Sequence, residues 1–185
     1  MTPNPPSNIT IPVINHLTGS TYFLKRVDEV EPTDEMLERL IAIGNEPKVY
    51  SWIFEERLKG EAYGIEMAKG FFEMGTNGWK NHEQFVFILL TEDGSPAASI
   101  DIKTADINSA EIGYLCSIEH RGVMTNTVLA VIELAKEAGY KMLWACSMKE
   151  NKESSRVLLR AGYSYNEERS TECETYNYYE LELSD

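Results

Sequence analysis

The chain has 185 residues, with 17 Lys plus Arg against 30 Asp plus Glu, giving a formal net charge of −13 with histidines neutral. One domain around one core is the expectation at this length, and 43% hydrophobic residues exclude wholesale disorder. So acidic a chain without a basic stripe repels phosphate backbones, which argues against a nucleic-acid binder; the acidity suits either a cationic partner or simply a solvated surface that keeps the protein soluble. No apolar run approaches the ~20 residues that span a bilayer; Phe85 to Leu90 has the length of a core strand. Residues 1–6 have neither the basic nor the apolar region of a signal peptide, so a cytoplasmic location without membrane contact is expected. Cys116, Cys146 and Cys173 are odd in number and lack CxxC spacing, which points to neither a metal site nor a disulfide framework.

Prolines at positions 3, 5, 6 and 12 mark residues 1–20 as an extended arm ahead of a single domain over 21–185. Thr21 to Val27 reads as a strand. Thr33-Asp34 reads as a helix cap, followed by Met36, Leu37, Leu40 and Ile41 at helical spacing, and Gly44-Asn45 ends that helix. A short helix is expected within Tyr50 to Leu58, and a longer one from Ala62 to Gly75. Between Asp28 and Glu73 there are 12 acidic and 5 basic residues, so this half carries much of the negative charge. Gln84 to Leu90 is a strand, Glu92 to Ser95 a hairpin turn, and Ala98, Ile100 and Ile102 alternate in the next strand. Ala110 to Ile118 is a third strand of that meander. Gly122 to Gly139 is amphipathic, with Met124, Val128, Val131, Ile132 and Ala135 in one stripe. Then come a strand (Tyr140 to Cys146), a helix (Lys152 to Ala161), a short strand (Tyr163 to Tyr165) and a final alternating strand ending at Leu183. The order, a helical opening, an antiparallel meander and then alternating strands and helices, predicts one α/β domain with a mixed sheet.

Two stretches carry chemistry. In the first, Ala110-Glu-Ile-Gly-Tyr114 runs through Glu119-His-Arg-Gly-Val-Met-Thr-Asn126 into the long helix. A strand that turns at a glycine into a helix presents unpaired backbone N–H groups and a helix dipole, which together suit an anion such as pyrophosphate. No GxxxxGK[ST] or GxGxxG is present, so a nucleotide triphosphate or dinucleotide lacks its motif. In the second, Asn151 is a natural N-cap and Ser154 falls in the first turn, on the face shared by Val157, Leu158 and Ala161.

Taken together over Thr21 to Leu183, these stretches resemble the GNAT N-acyltransferases, most of all the branch of ribosomal-protein N-terminal and polyamine acetyltransferases. Ala110 to Tyr114 is similar to that branch's fourth strand, and Gly122-Val-Met-Thr125 to its helix opening. Asn151-x-x-Ser154, followed by Arg160-Ala-Gly-Tyr163, is similar to its Asn-x-x-Ser helix and that helix's ending. The resemblance implies an α/β (α+β) fold with a mixed, mostly antiparallel central sheet flanked by helices, splayed between the fourth and fifth strands to hold acetyl-CoA as co-substrate. It implies pyrophosphate on the backbone of Gly122, Val123, Met124 and Thr125, pantetheine along Ser117 and Ile118, and Asn151 on the cofactor arm. It also implies Ser154 near the thioester sulfur. The family's loop is Gln/Arg-x-x-Gly-x-Gly/Ala; one register puts Glu119 in its first place, and another puts Arg121 there with Met124 on the central glycine.

Transfer of acetyl to an amine needs a base, an oxyanion donor and a proton for the departing thiolate. Glu111 is the first candidate base, with Glu172 and Glu174 second. A backbone N–H near Ser117 or Ile118 is the candidate oxyanion donor. Ser154 is the candidate acid, with Tyr163 as its alternative; His120 is read as exposed. The reading is therefore an acetyl-CoA-dependent N-acetyltransferase acting on a primary amine, with a cationic acceptor such as a protein N-terminus or polyamine. Its alternative is a non-catalytic acyl-CoA-binding or protein-interaction domain, motivated by Glu119. Tyr176 and Tyr178 leave room for a homodimer contact.

Overall fold

The computed structural model describes residues 3, 6 and 8–183. Its eight strands form one sheet in the order β1-β2-β3-β4-β5-β6-β8-β7. They are β1 (Thr10–Ile14), β2 (Thr21–Arg26), β3 (Phe85–Leu90), β4 (Pro96–Ile102), β5 (Ala110–Cys116), β6 (Met142–Met148), β7 (Ser164–Asn166) and β8 (Tyr176–Glu182). Every neighbouring pair is antiparallel except β5 and β6, which run parallel. β3 is buried at all six positions, so it is covered on both faces and its run of Phe, Val, Ile and Leu needs no polar partner.

Helix α1 (Asp34–Gly44) begins where expected, with the Thr33 hydroxyl accepting from the Met36 N–H at 3.3 Å. A single turn, α2 (Pro47–Val49), passes through a π-helical turn over Tyr50–Phe54 into α3 (Glu55–Leu58). Helix α4 (Ile65–Asn81) packs on α1 and β3. Helix α5 (Met124–Glu137) buries Met124, Thr127, Val128, Val131, Ile132, Leu134 and Ala135, a stripe of helical period that lies against β1, β4 and α6 (Lys152–Arg160). No helix of the described residues is long and apolar enough to cross a membrane.

Three elements differ from the sequence reading. The segment read as an arm contains β1, whose Val13 is 3% exposed and which pairs with β2 from Thr10↔Lys25 to Ile14↔Thr21. Pro12 is tolerated there because β1 is an edge strand, where its missing N–H need cost no ladder bond. Residues 1, 2, 4, 5 and 7 of that arm lie outside the described residues. Helix α4 continues six residues beyond Gly75, because its glycines are contact points rather than stops. A Cβ on Gly75 would sit 2.2 Å from Val27 Cγ1, and one on Gly78 2.6 Å from the Gln84 carbonyl oxygen. Finally, α7 (Glu167–Glu172) has no apolar period to announce it; Asn166 caps it by accepting from the Arg169 N–H at 2.9 Å.

Gly75→Ala adds at most about 1 kcal/mol of helix propensity but forces a contact that costs about 1–3 kcal/mol. The expected outcome is a net loss in urea unfolding. Gly70→Ala, in the same helix with nothing within 4 Å of its Cβ, is expected to gain stability.

Candidate active site

β5 and β6 pair only through Ala110↔Leu143 and Glu111↔Trp144. Beyond that point β5 stays on β4 as far as Cys116, and β6 stays on β8 as far as Met148, so the two strands part. The strands that diverge are the fourth and fifth of the sequence reading; β1 raises the count by one. Between them lies a cavity of about 490 Å³. Tyr114 to Ile118 line one wall and Cys146 to Met148 the other, with Val49, Trp52, Ile53, Ser154 and Val157 also facing in. Backbone N–H groups alternate sides along a strand. The Ser117 N–H points to β4, bonding the Ala97 carbonyl at 3.0 Å, so those of Tyr114 and Cys116 point into the opening. This moves the candidate oxyanion donors: the Ile118 N–H is also engaged, by Glu46 Oε2 at 2.7 Å.

One end of the cleft is built for an anion. Gly122 has φ +100°, and a Cβ there would lie 2.4 Å from Asn15 Oδ1, so glycine is required twice over. The loop after β1 buttresses this turn: Asn15 Nδ2 donates to the Arg121 carbonyl at 2.9 Å and the His16 N–H to the Gly122 carbonyl at 3.2 Å. The N–H groups of Met124, Thr125 and Asn126 open α5 with no acceptor among the described residues. Arg121, Arg156, Arg160 and Lys48 line the cleft, a cationic cluster in a strongly acidic protein, and His16 lines it beside Gly122. Glu119 does not line it; its carboxylate meets Arg39 at 2.6 Å.

Seven of the nine expected residues line the cavity: Ser117, Ile118, Gly122, Met124, Thr125, Asn151 and Ser154. Val123 is fully buried beneath the turn. Asn151 caps α6 by accepting from the Ser154 N–H at 3.1 Å. The Ser154 hydroxyl shares a 2.8 Å hydrogen bond with the Tyr114 hydroxyl, which also donates to the Ser154 carbonyl at 3.2 Å. Burial pushes the Tyr114 phenol well above its ordinary range, so it stays protonated as a donor.

Glu111 is not brought to the cleft: it lies at the paired base of the split, ion-paired to Lys103. Glu172 and Glu174 are exposed outside it, and Tyr163 is buried behind it with its hydroxyl unpartnered. His120 is half-buried rather than exposed, sharing a 2.9 Å hydrogen bond with the Tyr22 hydroxyl. Cys116 and Cys146 both line the cleft, yet burial and then the Glu46 carboxylate push the Cys116 thiol up to about 12. Burial likewise raises Cys146, so neither is a ready nucleophile at neutral pH.

Sequence reasoning missed Glu46, Lys48, Trp52, Arg156 and Arg160. Arg156 and Arg160 were visible as an i, i+4 pair following Ser154. Glu46 and Lys48 carry no local signal, since the fold alone brings Glu46 to Ser117 and Ile118, 71 and 72 residues along the chain, and Lys48 to Glu153, 105 residues along.

The model of a family described as "Acetyltransferase (GNAT) domain" matches residues 27–164. Among solved structures, RimJ of Mycobacterium smegmatis in complex with CoA-disulfide has a TM-score of 0.74 at 15% identity, covering 94% of this chain and 87% of that one. The microcin C7 self-immunity acetyltransferase MccE, in complex with acetyl-CoA and AMP, has a TM-score of 0.69 at 18% identity, covering 88% and 92%. Ribosomal-protein-S5-alanine acetyltransferase from Vibrio fischeri has a TM-score of 0.71 at 13% identity, covering 96% and 98%. No curated protein matches the chain by sequence.

Gly122→Ala is expected to unfold more easily than wild type by about 2 kcal/mol or more, combining left-handed strain with the collision on Asn15. Gly139, at φ +87° with nothing within 4 Å, supplies the control. Its alanine variant is expected to lose only the conformational part, about 1 kcal/mol, in the same denaturant titration.

Proposed function

Because the chain belongs to the GNAT acetyltransferase family, we propose that the cleft between β5 and β6 binds acetyl-CoA. There it transfers the acetyl group to the primary amine of a cationic acceptor, by direct attack in a ternary complex. The observation that carries this reading is the parting of two parallel strands beside an N–H-rich, cation-lined turn. Pantetheine fits as an added strand against the free edge of β5, with the N–H groups of Tyr114 and Cys116 as its donors. The pyrophosphate fits the α5 N-terminus, where backbone N–H groups, Arg121 and the dipole all favour negative charge.

The chemistry needs little beyond position. One of the two cleft-facing N–H groups of β5 meets the thioester carbonyl at the end of that added strand and stabilises its oxygen as it gains charge, leaving the other to a pantetheine amide. Ser154, bonded to Tyr114, supplies the proton that the departing thiolate takes, and the phenol holds that hydroxyl in place. High thiol pKa values at Cys116 and Cys146 argue against an acetyl-cysteine intermediate, which supports one-step transfer. The alternative of a non-catalytic domain loses its motive, since Glu119 turns to Arg39 and leaves the anion site. The acceptor is taken as cationic because the protein carries a net charge of −13.

Isothermal titration with acetyl-CoA is expected to give a micromolar Kd, about −8 kcal/mol, and CoA thiol should appear once basic peptides or polyamines are added. Binding without release from any amine would favour the non-catalytic domain. Ser154→Ala is expected to lower kcat about 100-fold with the acetyl-CoA Kd little changed. An unaltered kcat would remove Ser154 from the proton path.

A further inference from the structure

Among the described residues two carboxylates line the cleft, Glu46 and Glu153, beside four Lys and Arg side chains. Glu153 is neutralised twice, by Lys48 Nζ at 3.1 Å and Arg121 Nη2 at 3.2 Å. Glu46 has no cationic partner among the described residues. It accepts one hydrogen bond on each oxygen from neutral donors, the Ser117 hydroxyl at 2.5 Å and the Ile118 N–H at 2.7 Å. A carboxylate offers about four lone-pair sites, so half of its accepting capacity remains for a ligand.

Its position is fixed from both sides. Asn45 caps α1 and ties it to the Tyr63 segment, donating from Nδ2 to the Ile41 and Tyr63 carbonyls at 2.8 Å each, and Pro47 starts α2. Ser117 is in turn held by Arg39 Nη2 at 3.1 Å, the guanidinium that also takes Glu119. The carboxylate therefore stands on a braced turn at the end of β5, facing the same cavity as Ser154 and Tyr114.

Building on the amine-acetylation reading above, we infer that Glu46 receives the acceptor's ammonium and takes its first proton. The charge balance of the cleft assigns it this place: every other ion there that could meet an ammonium is a cation or is already paired. The step balances as follows. R–NH3+ gives one proton to the Glu46 carboxylate, and the freed amine pair forms the C–N bond to the thioester carbonyl. As the C–S bond breaks, the second nitrogen proton leaves by way of the Ser154 hydroxyl to the CoA thiolate. Glu46 then returns its proton to solvent, so acetyl-CoA and ammonium become acetamide, CoA thiol and one H+.

The test compares Glu46→Gln with wild type using two amines, butylamine, which is an ammonium at neutral pH, and trifluoroethylamine, which is mostly neutral. Acetyl-CoA affinity and unfolding midpoint are measured alongside. The expected result is a fall in kcat/KM of about 100-fold or more for butylamine but under about tenfold for trifluoroethylamine. Acetyl-CoA Kd should stay within about threefold. Equal losses with both amines, or no loss with either, overturn the role of Glu46 while leaving the acetyltransferase reading intact. If wild type binds acetyl-CoA yet releases no thiol with either amine or a lysine-rich peptide, amine transfer itself fails and Glu46 falls with it. Should the Gln variant not fold, Glu46→Asp keeps the charge and is expected to keep the wild-type ratio between the two amines; a changed ratio overturns the inference.

Discussion

The proposed function rests on two parallel strands that stop pairing. β5 and β6 share two residue pairs and then follow different neighbours, β4 on one side and β8 on the other. Each strand therefore keeps a full ladder on its outer edge while its inner edge is left with unmatched N–H and C=O groups. In a continuous sheet such groups would be satisfied, and leaving several of them without partners is costly unless water or a ligand meets them. The split thus makes a strand-shaped receptor from backbone alone, and side chains need only adjust its ends.

The ends are adjusted in opposite senses. Toward α5 the cleft brings Arg121 and unpaired N–H groups to Gly122, whose conformation is braced by the Asn15–His16 buttress. Against the β5 wall stand the Tyr114–Ser154 hydroxyl pair and the Glu46 carboxylate, bonded to neutral donors. An overall charge of −13 would repel a polyanionic cofactor at long range. Local cations in a cleft with partly apolar walls act over shorter distances, where attraction outweighs the screened field of the rest. In the proposed reaction the same overall negative charge attracts a cationic acceptor.

Much of this was legible from residues. Helix α5 announced itself by the period of Met124, Val128, Val131, Ile132 and Ala135, and α1 by its Thr33 cap, because both signals are local. Asn151 and Ser154 were placed correctly on α6 for the same reason. What failed was whatever depends on distant partners. Pro12 hid an edge strand, since the missing N–H is harmless only where no neighbour follows. Gly75 read as a helix end, although it is the place where Val27 comes within contact of α4. Glu111 shared a strand with the site residues, but its pairing with Lys103 follows from β4 lying alongside. Glu46 was invisible because its meaning comes from Ser117 and Ile118, some 70 residues away.

The central claim is that acetyl-CoA completes the free edge of β5. The most direct measurement is residue-resolved amide hydrogen exchange with and without acetyl-CoA. The account predicts that the amides of Tyr114 and Cys116 slow by about tenfold or more on binding, while that of Ser117, already bonded to Ala97, changes little. Acetyl-CoA that binds without protecting Tyr114 and Cys116 would contradict it, and would place the cofactor somewhere other than the split.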